Sequence, residues 1–332
     1  MRKSKKLITG ILACAMALCL SVPAFAAEIG TTKGTTNPDP DPDTKVTLTK
    51  TYSVLNSDTV APAATFDFTL TGVEVAENDL EKPPVPNKTT YSVSFDSAGT
   101  KTFTIDLADL NITKVGVYTY EIKETVGKVA GVDYGSQTVK MKVTAVNSET
   151  TTGLDYYVAL YRGEKKIKHE DAFKNIYKAG NLNVTKEVTG NLGDKSKYFK
   201  FTVKLTGDPE KIYSNPYTIS GGSYTGNMPD SITVDGEVEI YLKDGDTISI
   251  ANLPYGVEYN VTETTYKDYK TTVTDNIGSI TKADQTAAFT NNKGHDVDTG
   301  ITLDSLPYIL ILVGVIAVVG AVVVMKKRKI ED

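Results

Sequence analysis

Three short segments that end in a lysine, a glutamate and an asparagine occur twice in this chain, in the same order. VTLTK, YEIKE and FKN recur as LNVTK, YNVTE and FTN, and the polar residues that end them are Lys50, Glu124, Asn175, Lys186, Glu263 and Asn291. Because alternate residues of a strand share a face, each polar residue is predicted to end an apolar face. In an apolar core a lysine becomes a neutral, nucleophilic amine, and a glutamate stays protonated and can transfer a proton.

An ordinary structural role is the alternative for each of these residues taken alone. Charged side chains are seldom fully buried, and long ones can extend to solvent from the end of a strand. The recurrence of the whole set in one order favours an intramolecular function.

The surrounding sequence must provide the strands that position these residues. From Lys45 onward, short alternating runs of Val, Ile, Thr, Tyr and Phe are broken by Gly, Asn, Asp and Pro, a pattern that predicts an all-β sandwich. A single helical turn is expected near Leu107 to Leu110. A fourth repeat, TFDFTLTG at 65–72 and FKFTVKLTG at 199–207, predicts two homologous domains with a boundary near 177–181.

Both ends of the chain have the features of targeting segments. A basic start, an apolar run over 7–20 and the sequence AFA at 24–26 predict a cleaved signal peptide of residues 1–26. Both cysteines, Cys14 and Cys19, lie within it, so the mature chain is expected to have no disulfide. A lipoprotein site at Cys14 is disfavoured because the apolar run continues to a better cleavage site. Residues 306–325 contain no charge and are long enough to cross a bilayer, and the basic tail KKRK predicts a cytoplasmic end.

Charge and composition exclude several classes of function. Residues 1–26 and 301–332 carry eight basic and three acidic residues, so removing them changes the net charge from −5 to −10. This acidic balance argues against nucleic acid as a partner. Hydrolases are disfavoured because the mature chain has no cysteine, only two histidines, His169 and His295, and no nucleophile-elbow pattern.

No cofactor or metal is predicted. The linker 27–44 contains NPDPDPD and is expected to be extended. Its acidic spacing does not make a calcium loop, because Thr44 and Lys50 stand where glycine and glutamate are needed. Zinc is disfavoured because histidine and cysteine do not cluster.

The motif VDTG at 297–300 lies directly before the apolar segment. A permanent membrane anchor is the simpler interpretation. However, signal peptide, Thr-Gly motif, apolar segment and basic tail together resemble the cell-wall sorting signal of Gram-positive surface proteins, here spanning residues 294–332. The usual motif is Leu-Pro-x-Thr-Gly; this chain has Val297 in place of leucine and no proline. The resemblance implies that a sortase cuts between Thr299 and Gly300.

Over nearly its whole length the chain resembles sortase-assembled backbone pilins of the streptococcal T-antigen type, with collagen-adhesin B-type domains. The resemblance implies two immunoglobulin-like β-sandwiches, at 45–178 and 179–293. It further implies an isopeptide bond between lysine and asparagine in each domain, promoted by the glutamate. The protonated glutamate is expected to donate a hydrogen bond to the asparagine carbonyl and to transfer a proton as ammonia leaves. The two sets are Lys50, Asn175 and Glu124, and Lys186, Asn291 and Glu263.

The same resemblance implies a covalent homopolymer on the cell surface. A pilin-type sortase would join Thr299 to a lysine of the next copy, with Lys168 the first choice and Lys165 or Lys178 less favoured. The segment RGEKKIKHE at 162–170 is equally consistent with an ordinary basic hairpin tip. Accessory pilins and, at the fibre base, peptidoglycan are further expected partners.

The main alternative is a wall-anchored adhesin or a minor pilin at the tip or base of a fibre. It would bind a host ligand, for which the loop at 74–87 is a candidate, and it would not need an acceptor lysine.

Overall fold

A computed structural model describes residues 42–74, 82–135, 137–162 and 172–295 of the 332-residue chain. The predicted signal peptide, most of the linker and the sorting signal lie outside these residues, as do Lys165, Lys168, Thr299 and Gly300. Within the described ranges, no helix has the length and apolar character needed to cross a membrane.

In the part of the first sandwich that the structure describes, nine strands form two sheets. One sheet has the order β4-β1-β9-β6 and the other β3-β2-β5-β7-β8. The strands are β1 Lys45–Val54, β2 Ala64–Gly72, β3 Thr90–Phe95, β4 Gly99–Asp106, β5 Gly116–Glu124, β6 Val132–Asp133, β7 Thr138–Asn147, β8 Leu154–Tyr161 and β9 Ala172–Tyr177. A turn of 3-10 helix follows β4 at Leu107–Leu110, as the sequence predicts.

The second sandwich has ten strands. Its sheets have the orders β13-β12-β15-β10-β19-β17 and β14-β11-β16-β18. The strands are β10 Ala179–Thr189, β11 Phe199–Thr206, β12 Tyr217–Gly221, β13 Ser231–Ile232, β14 Glu237–Leu242, β15 Thr247–Pro254, β16 Glu258–Glu263, β17 Lys270–Thr274, β18 Ile277–Ser279 and β19 Asp284–Asn292. The all-β prediction is confirmed.

Alternation in the sequence accounts for the two cores. In β2, Phe66, Phe68 and Leu70 are buried while the intervening Asp67 and Thr69 face solvent, which is the period of two that a half-buried strand requires. Strands of this kind enclose one apolar core in each sandwich.

Contacts beyond the short connection join the two sandwiches. β9 ends at Tyr177 and β10 begins at Ala179. The carboxamide of Asn252 pairs with the backbone of Val60: Val60 N donates to Asn252 Oδ1 at 3.1 Å, and Asn252 Nδ2 donates to Val60 O at 2.9 Å. Asn252 has a φ of 61°, in the left-handed region that asparagine tolerates better than most residues. The Asn252 side chain therefore both donates to and accepts from the Val60 backbone, as a peptide group of a neighbouring strand would.

Replacing Asn252 with glycine should loosen this junction without unfolding either sandwich. Glycine accepts the positive φ, so the change removes only the two hydrogen bonds, each worth about 0.5–1.5 kcal/mol. We expect small-angle X-ray scattering to show a wider range of particle lengths for the variant than for the wild type. An exchange at exposed Asn227 serves as the control, and identical scattering of all three proteins would contradict a role for Asn252 at the junction.

Candidate functional site

The first and last strands of the first sandwich bring a lysine and an asparagine together. β1 and β9 pair in parallel, with Lys50 opposite Phe173 and Tyr52 opposite Asn175. Because residues two apart share a face, Lys50 and Asn175 both point between the sheets. Glu124 comes from β5 in the other sheet, so the three side chains meet across the core.

Hydrogen bonds connect all three side chains. Lys50 Nζ donates to Glu124 Oε1 at 2.8 Å and also to Asn175 Oδ1. Asn175 Nδ2 donates to the same glutamate oxygen at 2.7 Å. Amine, carboxamide and carboxyl group thus form a closed triangle.

Burial excludes the ordinary role in which the polar heads reach solvent. Lys50 and Asn175 are 0 % exposed and Glu124 is 2 % exposed. The expectation that each lysine ends its apolar face is wrong, because the buried Tyr52 follows Lys50 and the buried Val188 follows Lys186. The faces continue past the lysines because hydrogen-bond partners from other strands satisfy the amine groups inside the core.

The low-polarity surroundings favour the neutral forms of the first pair. Burial lowers the pKa of Lys50, against the opposing effect of its hydrogen bond to Glu124. Burial likewise raises the pKa of Glu124, against the effect of Lys50. Both shifts move the pair toward a free amine and a carboxylic acid, the forms that attack on an amide requires.

Aromatic rings line the site, a feature that the sequence interpretation missed. Lys50 Nζ lies 4.0 Å from the centre of the Phe66 ring and 5.8 Å from that of Phe68. In the second sandwich, Lys186 Nζ lies 4.6 Å and 5.8 Å from the rings of Phe199 and Phe201. The Phe-x-Phe sequence that recurs in β2 and β11 could have indicated these rings. β2 pairs with β5, which contains Glu124, and β11 pairs with β16, which contains Glu263.

The second sandwich repeats the same register. β10 and β19 pair in parallel with Lys186 opposite Phe289 and Val188 opposite Asn291. Glu263 lies opposite Phe201, as Glu124 lies opposite Phe68. Two sets of residues far apart in the chain therefore occupy equivalent positions in two sandwiches.

The second site differs from the first in how the lysine is held. Lys186 Nζ donates to both oxygens of Glu263, at 3.1 and 3.0 Å, and Asn291 Nδ2 donates to Glu263 Oε1 at 2.5 Å. Asn291 Oδ1 is buried without a hydrogen-bond partner. Burial lowers the pKa of Lys186. Lys186 therefore contacts only the Glu263 carboxyl group of this site and does not donate to the amide oxygen of Asn291.

The orientation of the amides changes one expected detail of the chemistry. The glutamate was expected to donate to the asparagine carbonyl. In both sandwiches the glutamate oxygen instead faces the amide nitrogen, Nδ2 of Asn175 or Asn291. The carboxyl group is therefore next to the nitrogen that would leave as ammonia, where it can deliver a proton.

Of the remaining predicted residues, the described part of the chain contains Lys178. Its Nζ lies 2.8 Å from Asp133 Oδ2, and its backbone oxygen accepts a bond from Tyr255 N at 2.9 Å. The candidate loop at 74–87 is described only at Glu74 and from Lys82 onward, where these two residues form an exposed ion pair at 2.8 Å. Among the described residues, no group of histidine, cysteine and carboxylate side chains forms a metal site.

Comparison with known proteins finds similarity over both sandwiches. Residues 46–178 match the family model of the Spy0128-like isopeptide containing domain, and residues 180–293 match a domain of unknown function (DUF7601). A pilin of Streptococcus pyogenes serotype M1 is 32% identical over 314 residues, which cover 86% of this chain and 91% of that protein. This chain belongs to the pilin family.

Two further relatives agree with this assignment. The crystal structure of the major pilin from Streptococcus pyogenes matches this pilin with a TM-score of 0.55 and 27% identity, covering 76% of this chain and 99% of that one. The pilus tip adhesin Cpa of Streptococcus pyogenes is 35% identical over 130 residues, or 37% of this pilin and 18% of the adhesin. Both relatives are pilus proteins, and they support a pilus subunit at the cell surface.

Proposed function

We propose that this pilin is the shaft subunit of a sortase-assembled pilus, and that an internal isopeptide bond closes each of its two domains, at 45–178 and 179–293. One observation carries the proposal: the side chains of a lysine, a glutamate and an asparagine, all buried, meet at the same strand register in both sandwiches. A chance core arrangement would have no reason to recur with the same three residue types.

Each internal bond forms in a single, balanced step. The Nζ of the lysine attacks the asparagine side-chain carbon, an amide forms, and the asparagine nitrogen leaves as ammonia. The glutamate takes the proton that the lysine loses and supplies one to the leaving nitrogen, so the carboxyl group is unchanged at the end. The protein is altered once and turns over no substrate. Lys50 and Asn175 would be joined through Glu124, and Lys186 and Asn291 through Glu263.

The location of the bonds suits a subunit that carries tension. In the proposed polymer, load enters at Lys168, passes along β9, where Asn175 is joined to Lys50 of β1, and continues directly into β10. It leaves again through Lys186 and Asn291 on β19. The strands between Lys50 and Asn175, and those between Lys186 and Asn291, then carry no load. Stretching the fibre therefore does not break the hydrogen bonds between them.

Polymerisation would use the C-terminal motif. A pilin-type sortase breaks the amide between Thr299 and Gly300, and the Thr299 acyl group forms a new amide with a lysine of the next copy, for which Lys168 is the first candidate. The proton lost by that lysine balances the one gained by the Gly300 amine. The final copy would be joined to peptidoglycan, with accessory pilins added to the fibre.

Replacing Lys168 with alanine should abolish covalent multimers while leaving the monomer on the cell wall. The measurement is a denaturing gel of enzymatically released wall extracts, with a Lys178→Ala strain as the matched control. A ladder in wild type and control, lost in the Lys168 variant, is the expected result. Loss only in the Lys178 variant would transfer the acceptor role to Lys178.

A minor pilin or adhesin is the second candidate, and the match to the tip adhesin Cpa favours considering it. Such a protein would be linked to a wall or a fibre only through its own C-terminus. A single wall-linked species in the wild-type extract, without a ladder, would support this candidate and exclude the shaft role.

A further inference from the structure

The two sandwiches close the outer edge of the asparagine strand in different ways. In the second sandwich, the strand after Glu263 is β17, which pairs with β19 along its whole length, Asn291 included. In the first sandwich, the strand after Glu124 is β6, which pairs only with Ile176 and Tyr177 of β9. Within the described residues, the part of this edge that precedes Ile176 therefore has no strand partner.

The side chain of Gln137 occupies this edge instead. Gln137 comes directly before β7, two residues before the buried Val139, so the two side chains share the face toward the other sheet. Lys174 N donates to Gln137 Oε1 at 2.9 Å, and Gln137 Nε2 donates to Lys174 O. We call these two hydrogen bonds the Gln137 clamp. One carboxamide thus holds both backbone groups of the residue before Asn175.

Arg162, the residue that follows β8, contacts both the clamp and β9. Its Nη1 donates to Gln137 Oε1 at 3.1 Å, and its Nη2 donates to Ala172 O. Gln137 Oε1 therefore accepts hydrogen bonds from Lys174 and from Arg162, which fixes the orientation of the carboxamide. The edge of β9 at Ala172 and Lys174 is satisfied by side chains that come from the other sheet.

The backbone of Gln137 connects the clamp to the glutamate. Glu124 N donates to Gln137 O at 3.2 Å. The pairing of β1 with β9 sets the distance between Lys50 and Asn175 within one sheet, whereas Glu124 belongs to the other sheet. Because Gln137 is bonded both to Glu124 and to the neighbour of Asn175, it fixes the position of these two residues relative to each other.

We propose that Gln137 is a positioning residue for the first internal bond, because it holds the Asn175 amide against the Glu124 carboxyl group. The inference rests on the proposed function of this site. Asn175 Nδ2 lies 2.7 Å from Glu124 Oε1, and a misplacement of about 1 Å can slow a reaction about a hundredfold. The bond at Asn291 does not depend on Gln137, since β17 holds the corresponding edge in the second sandwich.

Gln137→Met tests this role, because methionine has a similar length and makes neither hydrogen bond to Lys174. Full-length chains are made by cell-free synthesis, and intact mass at intervals follows the loss of ammonia. With Lys186→Ala present, only the first bond can form, and Gln137→Met should slow it about tenfold or more. With Lys50→Ala present, only the second bond can form, and its rate should not change. Gln137→Asn, whose amide is one methylene too short for the clamp, should repeat the result.

Val143→Ala separates positioning from a loss of stability. Val143 is fully buried on β7, so its truncation weakens the same core and leaves the clamp in place. Unfolding of each variant is measured with Lys50→Ala present, so that the cross-link does not contribute. Lys142→Met, at an exposed position of the same strand, is the control for the introduced methionine. We expect slower bond formation for the Gln137 variants than for a Val143 variant of equal or lower stability.

Slowing that is confined to the first bond supports the proposal. An unchanged rate in the Gln137→Met chain would overturn it, and so would equal slowing by Val143→Ala at an equal loss of stability. Hydrogen exchange with Lys50→Ala present tests the clamp itself. The Lys174 amide should exchange faster in the Gln137→Met chain while the Glu124 amide, which is bonded to the backbone of Gln137, stays protected. An unchanged rate at Lys174 would refute the clamp.

Failure of the proposed function gives a different result. In that case the wild-type chain loses no ammonia, whereas exchange of the Lys174 amide still responds to Gln137→Met. Failure of the inference alone leaves ammonia loss in the wild type and an equal rate in the Gln137→Met chain.

Discussion

A Glu124→Ala variant should keep the ammonia that the wild-type first domain loses, and its free energy of unfolding should fall by about 4–5 kcal/mol. Lys50 and Asn175 are 125 residues apart, so their bond closes a long loop and removes much of the conformational entropy of the unfolded chain. Lys50 would also remain in the core without its carboxyl partner, which adds to the loss. Intact mass spectrometry and denaturant unfolding measure the two effects.

The matched control for this variant is Glu121→Ala. Glu121 lies on the same strand but outside the core, where it approaches Lys140 at 3.9 Å. This variant should have both internal bonds, and a stability change within the small range of surface ion pairs, about 0–1 kcal/mol. A wild-type mass equal to that of the mature sequence would show that neither bond forms and would remove the chemical basis of the proposal.

The bond in the second domain should form more slowly than the bond in the first. Lys50 already contacts the oxygen of Asn175, and the pKa shifts of Lys50 and Glu124 both favour the neutral pair. Lys186 instead donates to both oxygens of Glu263. It must first break one of these contacts before it can reach Asn291.

Two single-bond proteins allow the rates to be compared. Lys186→Ala retains only the first site and Lys50→Ala only the second, and intact mass at intervals after rapid cell-free synthesis follows the loss of ammonia in each. Equal rates, or a faster second site, would show that the lysine contacts do not limit the reaction.

The sequence predicts much of this arrangement because the same residue types recur at the same spacing in both domains. Alternation placed Leu48 and Ile122 inward, and the same spacing placed Lys50 and Glu124 on those faces. The pairing of the first strand with the last was implied by family resemblance, since periodicity within one strand says nothing about its neighbours.

Other features depend on distances between sheets, which sequence spacing does not specify. The ring of Phe66 above Lys50 depends on the separation and register of two sheets. Lys50 and Lys186 make different hydrogen bonds at positions that look alike in sequence. Asn191, whose carboxamide pairs with the backbone of His295, gave no signal because the two residues lie 104 positions apart in the sequence.

The parallel pairing of β1 with β9, and of β10 with β19, also determines when cross-linking can occur. The lysine is near the start of each domain and the asparagine is in its last strand, so the two cannot meet until the whole domain has been synthesised and folded. Contacts between distant parts of a chain form late and slowly during folding. On the proposed route, an unfolded precursor can therefore thread through the export channel as an open chain. The covalent loops, which would jam a narrow channel, close only on the outer side of the membrane.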